Sequence, residues 1–198
     1  MKLKQYLIEN KTLYDVKQDC KPFLSKYSKL LKNEQFLWRG SDKIIRGIGH
    51  VVTRKNRKPT DTTIDLHNKL DELFKKRFGW KARSEGVFCT GKLTSAASYG
   101  HPYIMIPAGK FEFIWSPMVW DLFDELRNQE LIKGYTGIDN PKTSFYDPKD
   151  EKHNIKLKYI IGTYINKNLR SAMRTHNEII IKCDSYYLLE DDGFIEDL

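Results

Sequence analysis

Apolar residues recur at helical spacing in some stretches of the chain and gather into strand-length runs in others. Residues 2–19 carry a weak helical pattern. Pro22 suits the first turn of a second helix, where its missing N–H is not needed. Phe23, Tyr27, Leu30 and Leu31 then share one face. Residues 35–40 read as a short strand, and residues 41–60 as a loop holding Gly47, Gly49 and the basic run Arg54-Lys55-Asn56-Arg57-Lys58-Pro59. Thr60 or Asp61 can cap the next helix, whose apolar face is Leu66, Leu70, Leu73, Phe74 and Phe78 and which Gly79 can stop. A strand and turn over 86–91 precede a short helix from about Leu93 to Tyr99. Residues 103–107 and 111–115 read as two strands joined by 108–110. Ser116 and Pro117 are expected to open a helix with a stripe of Val119, Leu122, Phe123 and Leu126. Residues 133–154 read as a long surface loop. The stretch 157–174 is ambiguous, with strand character over 157–161 and helical character over 163–174. Two strands follow, over 178–183 and 186–189. The sum predicts an α+β fold, with helices flanking a mainly antiparallel sheet. A helical segment, residues 1–35, is expected to precede a single compact unit, residues 36–198.

Composition narrows the class. At 198 residues, 40% hydrophobic and 13% aromatic, the chain is expected to be globular and to bury a substantial core, and disorder is excluded. No apolar run approaches the roughly 18 residues of a membrane span, and the first residues lack the apolar stretch of a secretory signal. Cys20, Cys89 and Cys183 are odd in number and far apart, which excludes a disulfide framework and a paired-cysteine zinc site and fits a reducing cytoplasm. The 34 Lys and Arg against 26 Asp and Glu leave +8. That balance favours anionic partners, whether nucleic acid, nucleotide or acidic protein, beside a plain role in solubility.

Several chemistries have no motif here: no phosphate-loop glycine run, no nucleophile elbow and no metal-ligand spacing among the five histidines. Three strand ends do carry polar groups. Arg39 follows Phe36-Leu37-Trp38 and precedes Gly40; a guanidinium there can hold phosphate with a fork, and the glycine can admit a ligand closely. Cys89-Thr90-Gly91 is followed by Thr94, Ser95 and Tyr99, which offer small hydroxyls and a ring that can stack. Asn177-Glu178 opens the apolar run Ile179-Ile180-Ile181. Taken singly, each is also what a surface turn, a helix cap or a solvated strand end would show.

Taken in order, they resemble the arginine–serine–glutamate group of NAD-dependent mono-ADP-ribosyltransferases, of bacterial-toxin or phage-effector type. Leu37-Trp38-Arg39-Gly40 stands for the first motif, Phe88-Cys89-Thr90 for the second and Asn177-Glu178-Ile179-Ile180-Ile181 for the third. The resemblance spans about residues 36–190. The middle motif departs from Ser-Thr-Ser, so Cys89, Thr90, Thr94 and Ser95 compete for its role, and His176 stands where the family often has Glu or Gln.

The resemblance implies a split, mainly antiparallel core that uses NAD as co-substrate and needs no metal. Glu178 would stabilise the sugar cation as nicotinamide leaves, and Arg39 would hold the diphosphate. Gly40, Thr90, Ser95 and Tyr99 would complete the NAD site, and the acceptor would meet His176, Arg174 and Tyr164. The basic residues leading into Glu178, with Arg54, Lys55, Arg57 and Lys58, favour a nucleic-acid acceptor, RNA or DNA, over protein. The alternatives are an NAD glycohydrolase, a protein-directed transferase, an RNA 2′-phosphotransferase on a similar fold and, from another class, a basic nucleic-acid-binding module without catalysis.

Overall fold

The computed structural model describes residues 11–60, 62–132 and 145–191. Residues 2–10 of the first expected helix, the cap candidate Asp61, and 133–144 of the expected long loop lie outside the described residues. Among the described residues the chain is α+β, with seven strands in one sheet. In chain order these are β1 (Trp38–Ser41), β2 (Ile48–Val52), β3 (Val87–Thr90), β4 (His101–Ala108), β5 (Glu112–Trp115), β6 (Glu178–Lys182) and β7 (Ser185–Leu189). They lie in the order β2-β7-β4-β1-β3-β6-β5, and every pair is antiparallel. No helix here is long and apolar enough to cross a membrane.

Helices cover both faces. α1 (Leu13–Asp19) starts at a capping box between Thr12 and Asp15, and α2 (Lys21–Leu31) has Pro22 in its first turn. Their buried Val16, Cys20, Phe23, Leu30 and Leu31 join one apolar cluster with Ile104 and Ile106 of β4 and Tyr187 and Leu189 of β7. Tyr187 ties the layers by donating from Oη to Asp19 at 2.5 Å. On the other face, α3 (Ile64–Phe78), α6 (Leu122–Asn128) and α7 (Glu151–Gly162) bury Leu66, Leu70, Phe74, Leu126, Leu157 and Ile160 against Ile114 of β5 and Ile180 of β6. Gly79 ends α3 in the left-handed conformation, φ 85°, which a residue without Cβ adopts freely. The short α4 (Ala82–Glu85), α5 (Leu93–Ala97) and α8 (Leu169–Ala172) lead into or out of strands.

Four expectations are corrected. Residues 48–52, taken for loop, form β2, because His50 and its neighbours pair along the whole of β7. Residues 157–161, with their β-branched run, are helical, because Leu157, Ile160 and Ile161 all face the α3 layer at helical spacing. Ser116 caps only a turn: its Oγ accepts from Met118 N and Val119 N, both at 3.1 Å, and α6 starts later, behind Asp121. The strands joined by 108–110 do not pair with each other. β4 lies between β1 and β7, and β5 lies at the sheet edge beside β6.

β1 and β3 share one register pair, Trp38↔Thr90, whereas β1 and β4 share four. The sheet is therefore held at its centre by a single rung, beyond which β1 follows β4. Gly40 lies just past that rung. A Cβ there would fall 2.3 Å from the Ala96 carbonyl oxygen, so the glycine lets α5 close onto β1. Gly40→Ala should force α5 outward and cost about 1–3 kcal/mol, read as a lower urea midpoint. An unchanged midpoint would show that α5 is not tightly seated.

Candidate functional site

The central rung continues outward: Trp38 pairs with Thr90, and Thr90 with Glu178. Three neighbouring strands thus bring Arg39, Thr90 and Glu178 to one region, although 139 positions separate the first from the last. Strand alternation puts Phe88, Thr90, Glu178 and Ile180 on the face covered by α3 and α4.

Glu178 is held there by its backbone and by charge. Its N–H donates to Trp120 O at 2.6 Å. Its Oε2 lies 3.6 Å from Arg83 Nη1, and its side chain keeps 13% of its surface. Its Oε1 is buried with no hydrogen-bond partner. Burial pushes the carboxyl up to about 7; Asp121 adds to this, and Arg83 and Arg57 oppose it. A buried, half-paired carboxyl poised near neutrality is a common mark of a working group.

A guanidinium cluster surrounds β3 next to it. Arg39 donates from Nη1 to Phe88 O at 2.6 Å and lies 5.7 Å from the Tyr186 ring centre. Arg57 and Arg83 each stand 4.7 Å from the centre of the Phe88 ring. Arg57 donates to Gly86 O at 3.1 Å. Burial, with Arg39 and Arg83 as like charges, pulls Arg57 down to about 10. Three guanidiniums thus gather around β3, and two of them, Arg83 and Arg57, act on Glu178, an excess of positive charge that suits a phosphate-bearing ligand.

A buried network seats two of these arginines. Asp71 on α3 is 3% exposed. Its Oδ1 accepts from Arg83 N at 2.8 Å and Ser84 N at 3.3 Å, and its Oδ2 accepts from Ser84 Oγ. His67 Nε2 lies 3.0 Å from Ser84 Oγ, and Arg57 N donates to Ser84 O at 3.2 Å. Burial holds His67 below its ordinary value against the pull of Asp71, so the ring is neutral at pH 7. A Ser whose Oγ donates to a carboxylate is not an activated nucleophile; this cluster is a clamp on α4.

The remaining expected residues divide. Thr90 Oγ1 donates to His176 O at 3.0 Å, and Ser95 Oγ lies 3.0 Å from His176 Nδ1. Both hydroxyls therefore fix His176 and neither bonds Arg39 or Glu178 directly. Tyr99 is exposed and donates to Asp121 Oδ2 at 2.7 Å. Arg174 is exposed and donates from Nε to Gln35 at 3.2 Å. Tyr164, expected at the acceptor, is instead fully buried, edge-on to Phe74 with ring centres 5.1 Å apart. The run 54–58 does not act as one surface. Arg57 turns inward, Lys55 pairs with Asp184 at 2.9 Å, and Arg54 and Lys58 stay exposed.

Sequence reasoning missed Arg83, Asp71 and Asp121. Arg83 had a faint signal in its place just ahead of the strand carrying the middle motif. Asp71 and Asp121 had none, since their partners are remote or conformational. Two surface grooves open elsewhere, one beside Trp80 and Phe113 and one beside Lys55, Lys110 and Asp184. Neither is lined by Arg39, Thr90 or Glu178. Comparison with protein-family models, curated proteins and solved structures found no match.

Proposed function

We propose that the chain is an NAD-dependent ADP-ribosyltransferase, with the cleft of its split core beside the Trp38–Thr90–Glu178 row. The observation that carries this reading is the row itself. It sets a buried, near-neutral carboxylate on β6 two strands from β1, the strand that carries Arg39, in the order the sequence motifs require. The unpartnered Oε1 suits a donor from the ligand, such as a ribose hydroxyl. Arg39 and Arg57 are the groups available for the diphosphate.

In the reaction the bond between the ribose C1′ and the nicotinamide nitrogen breaks, and its electron pair leaves with nicotinamide. Positive charge grows on the sugar. Ionised Glu178 stabilises that charge more than it stabilises the bound substrate. Arg83 opposes the effect of burial, so that Glu178 is ionised above about pH 7. The acceptor oxygen or nitrogen then bonds to C1′ and gives up its proton, for which exposed His176 is the nearby base. The acceptor is a macromolecule, nucleic acid in preference to protein. Water as acceptor would make the chain an NAD glycohydrolase.

Labelled NAD added to a cell lysate tests this. The expected result is label on macromolecules that nuclease or RNase releases and protease does not. Label found only as free ADP-ribose would replace transfer by hydrolysis, and unconsumed NAD would end the reading. The pH profile is a second check. Since the carboxylate is the working form, kcat/KM should fall about tenfold per unit below about pH 7. A flat profile between pH 5 and 8 would remove Glu178 from the step.

A further inference from the structure

Among the described residues, two buried side-chain polar atoms have no hydrogen-bond partner: the hydroxyl of Tyr164 and Oε1 of Glu178. The first is a donor, and the second, when ionised, only accepts. Buried polar groups are nearly always bonded, and a buried tyrosine usually finds a partner for its hydroxyl.

The sheet brings the two together. Ile165 and Trp115 exchange backbone hydrogen bonds of 2.8 and 3.0 Å, and Trp115 pairs in turn with Ile179. The residues just ahead of Ile165 and Ile179 are Tyr164 and Glu178. Both therefore stand at one level, two strand spacings or about 10 Å apart across β5. Alternation turns them to the same face, where Tyr164 joins Phe74 and Ile180 in one apolar cluster. Ser116 fastens the two ends: Asn177 donates from Nδ2 to its carbonyl at 2.7 Å, and its Oγ lies 2.7 Å from Thr163 Oγ1. Tyr164 is held in place as well. Arg77 donates from Nη2 to its carbonyl at 3.1 Å, and its ring stands against Phe74. Burial, and next the charge of Glu178, push the phenol well above its ordinary value, so it stays a neutral donor at working pH.

We propose that Tyr164 is a positioning residue for Glu178, its hydroxyl donating through one shared buried water to Oε1 and so favouring the ionised carboxylate. This rests on the transfer reading for what the carboxylate then does, but the contact itself needs no NAD. Tyr164 is fully buried, so it acts through Glu178 and not on the ligand. A carboxylate oxygen accepts more than one bond, which leaves room for a ribose hydroxyl. The other groups that act on Glu178 are Arg83 on α4, Arg57 ahead of α3 and Asp121 ahead of α6. Tyr99, after α5, feels Glu178 in turn, and Glu125 on α6 acts on Tyr164. Tyr164→Phe leaves all of them in place and removes one oxygen.

The test titrates Glu178 in the full chain without NAD. Isotope-labelled glutamate reports its ionisation by NMR, the signal being assigned by its loss in Glu178→Gln. The wild-type midpoint is about 7. In Tyr164→Phe it should rise by about 0.5–1 in pH, because a hydrogen bond to the ionised form is lost. Turnover should follow. At about pH 6, kcat/KM should fall about threefold to tenfold, and the deficit should close by about pH 9. A role in packing alone would lower the rate equally at both. If the variant does not fold, the wild type decides: its Tyr164 hydroxyl proton should exchange slowly with solvent, and its signal should move as Glu178 titrates. A Glu178 midpoint unmoved or lowered in Tyr164→Phe, a deficit that is the same at both pH values, or a hydroxyl signal indifferent to Glu178 would overturn the proposal. NAD turnover with an unmoved midpoint removes this inference alone. A raised midpoint in a chain that never consumes NAD removes the transferase reading alone.

Discussion

Glu178→Gln should cut NAD consumption several-hundred-fold and, at pH 8, make the protein more stable than the wild type. The first effect follows from removing one preorganised charge at the sugar, on the order of 3–4 kcal/mol of transition-state stabilisation. The second follows from burial. The carboxyl titrates at about 7 in the folded chain, against an ordinary value of 4.5. Between those values the native state holds a proton that the unfolded state has lost. Stability from this group is therefore fully present below about pH 4.5 and declines as pH rises through 7. Glutamine resembles the protonated form at every pH. That difference corresponds to about 3 kcal/mol in favour of the variant at pH 8. Urea denaturation at pH 8 and pH 4.5 checks this: the gap should be present at the first and nearly closed at the second. A variant less stable at pH 8 would mean that the attraction to Arg83 outweighs the burial of the charge.

Asp71→Ala should be the most damaging substitution away from the reacting groups. It strands the Arg83 and Ser84 amides and the Ser84 hydroxyl in a buried place and unseats His67. Several orphaned donors together should cost about 3 kcal/mol or more. Asp71→Asn, which keeps an acceptor and the volume, should cost less. Arg57 is tied to the same network through Ser84 O, so KM for NAD should rise in Asp71→Asn even where the fold survives. Denaturation curves give the first quantity and steady-state kinetics the second. An Asp71→Ala protein as stable as wild type would show that water replaces the carboxylate and that the clamp does not exist.

The ends of the site were legible because local pattern marks them. Leu37-Trp38-Arg39-Gly40 and Asn177-Glu178-Ile179 each show a strand boundary with one polar residue at its mouth. The charge logic between them was not. Arg57 reads as one member of an exposed basic run, and its burial depends on Phe88 and Gly86, about thirty positions onward. Asp71 reads as a polar helix residue until α4 lies across it. Tyr164 stands within a basic, polar segment, yet the Phe74 ring and the surrounding apolar cluster take it inside. Helices with a clear stripe, such as α3, were readable within a turn. The Ile-rich end of α7 was not, because β-branched residues carry strand propensity and only packing against α3 decides otherwise. The pairing of strands was least readable. A three-residue link between β4 and β5 suggests a hairpin, but tertiary partners draw the two strands apart.

That wiring bears on how the molecule is made. β7 is the last of the described strands in sequence but lies between β2 and β4, with Val52 opposite Ser185. While the polypeptide is being synthesised, β2 lacks its one neighbour among the described strands until residues 185–189 leave the ribosome. Closing so long a loop before any of those hydrogen bonds can form favours slow, late assembly. In a growing chain, that strand edge stays open until then, and a chaperone, or another unfinished copy, can reach it.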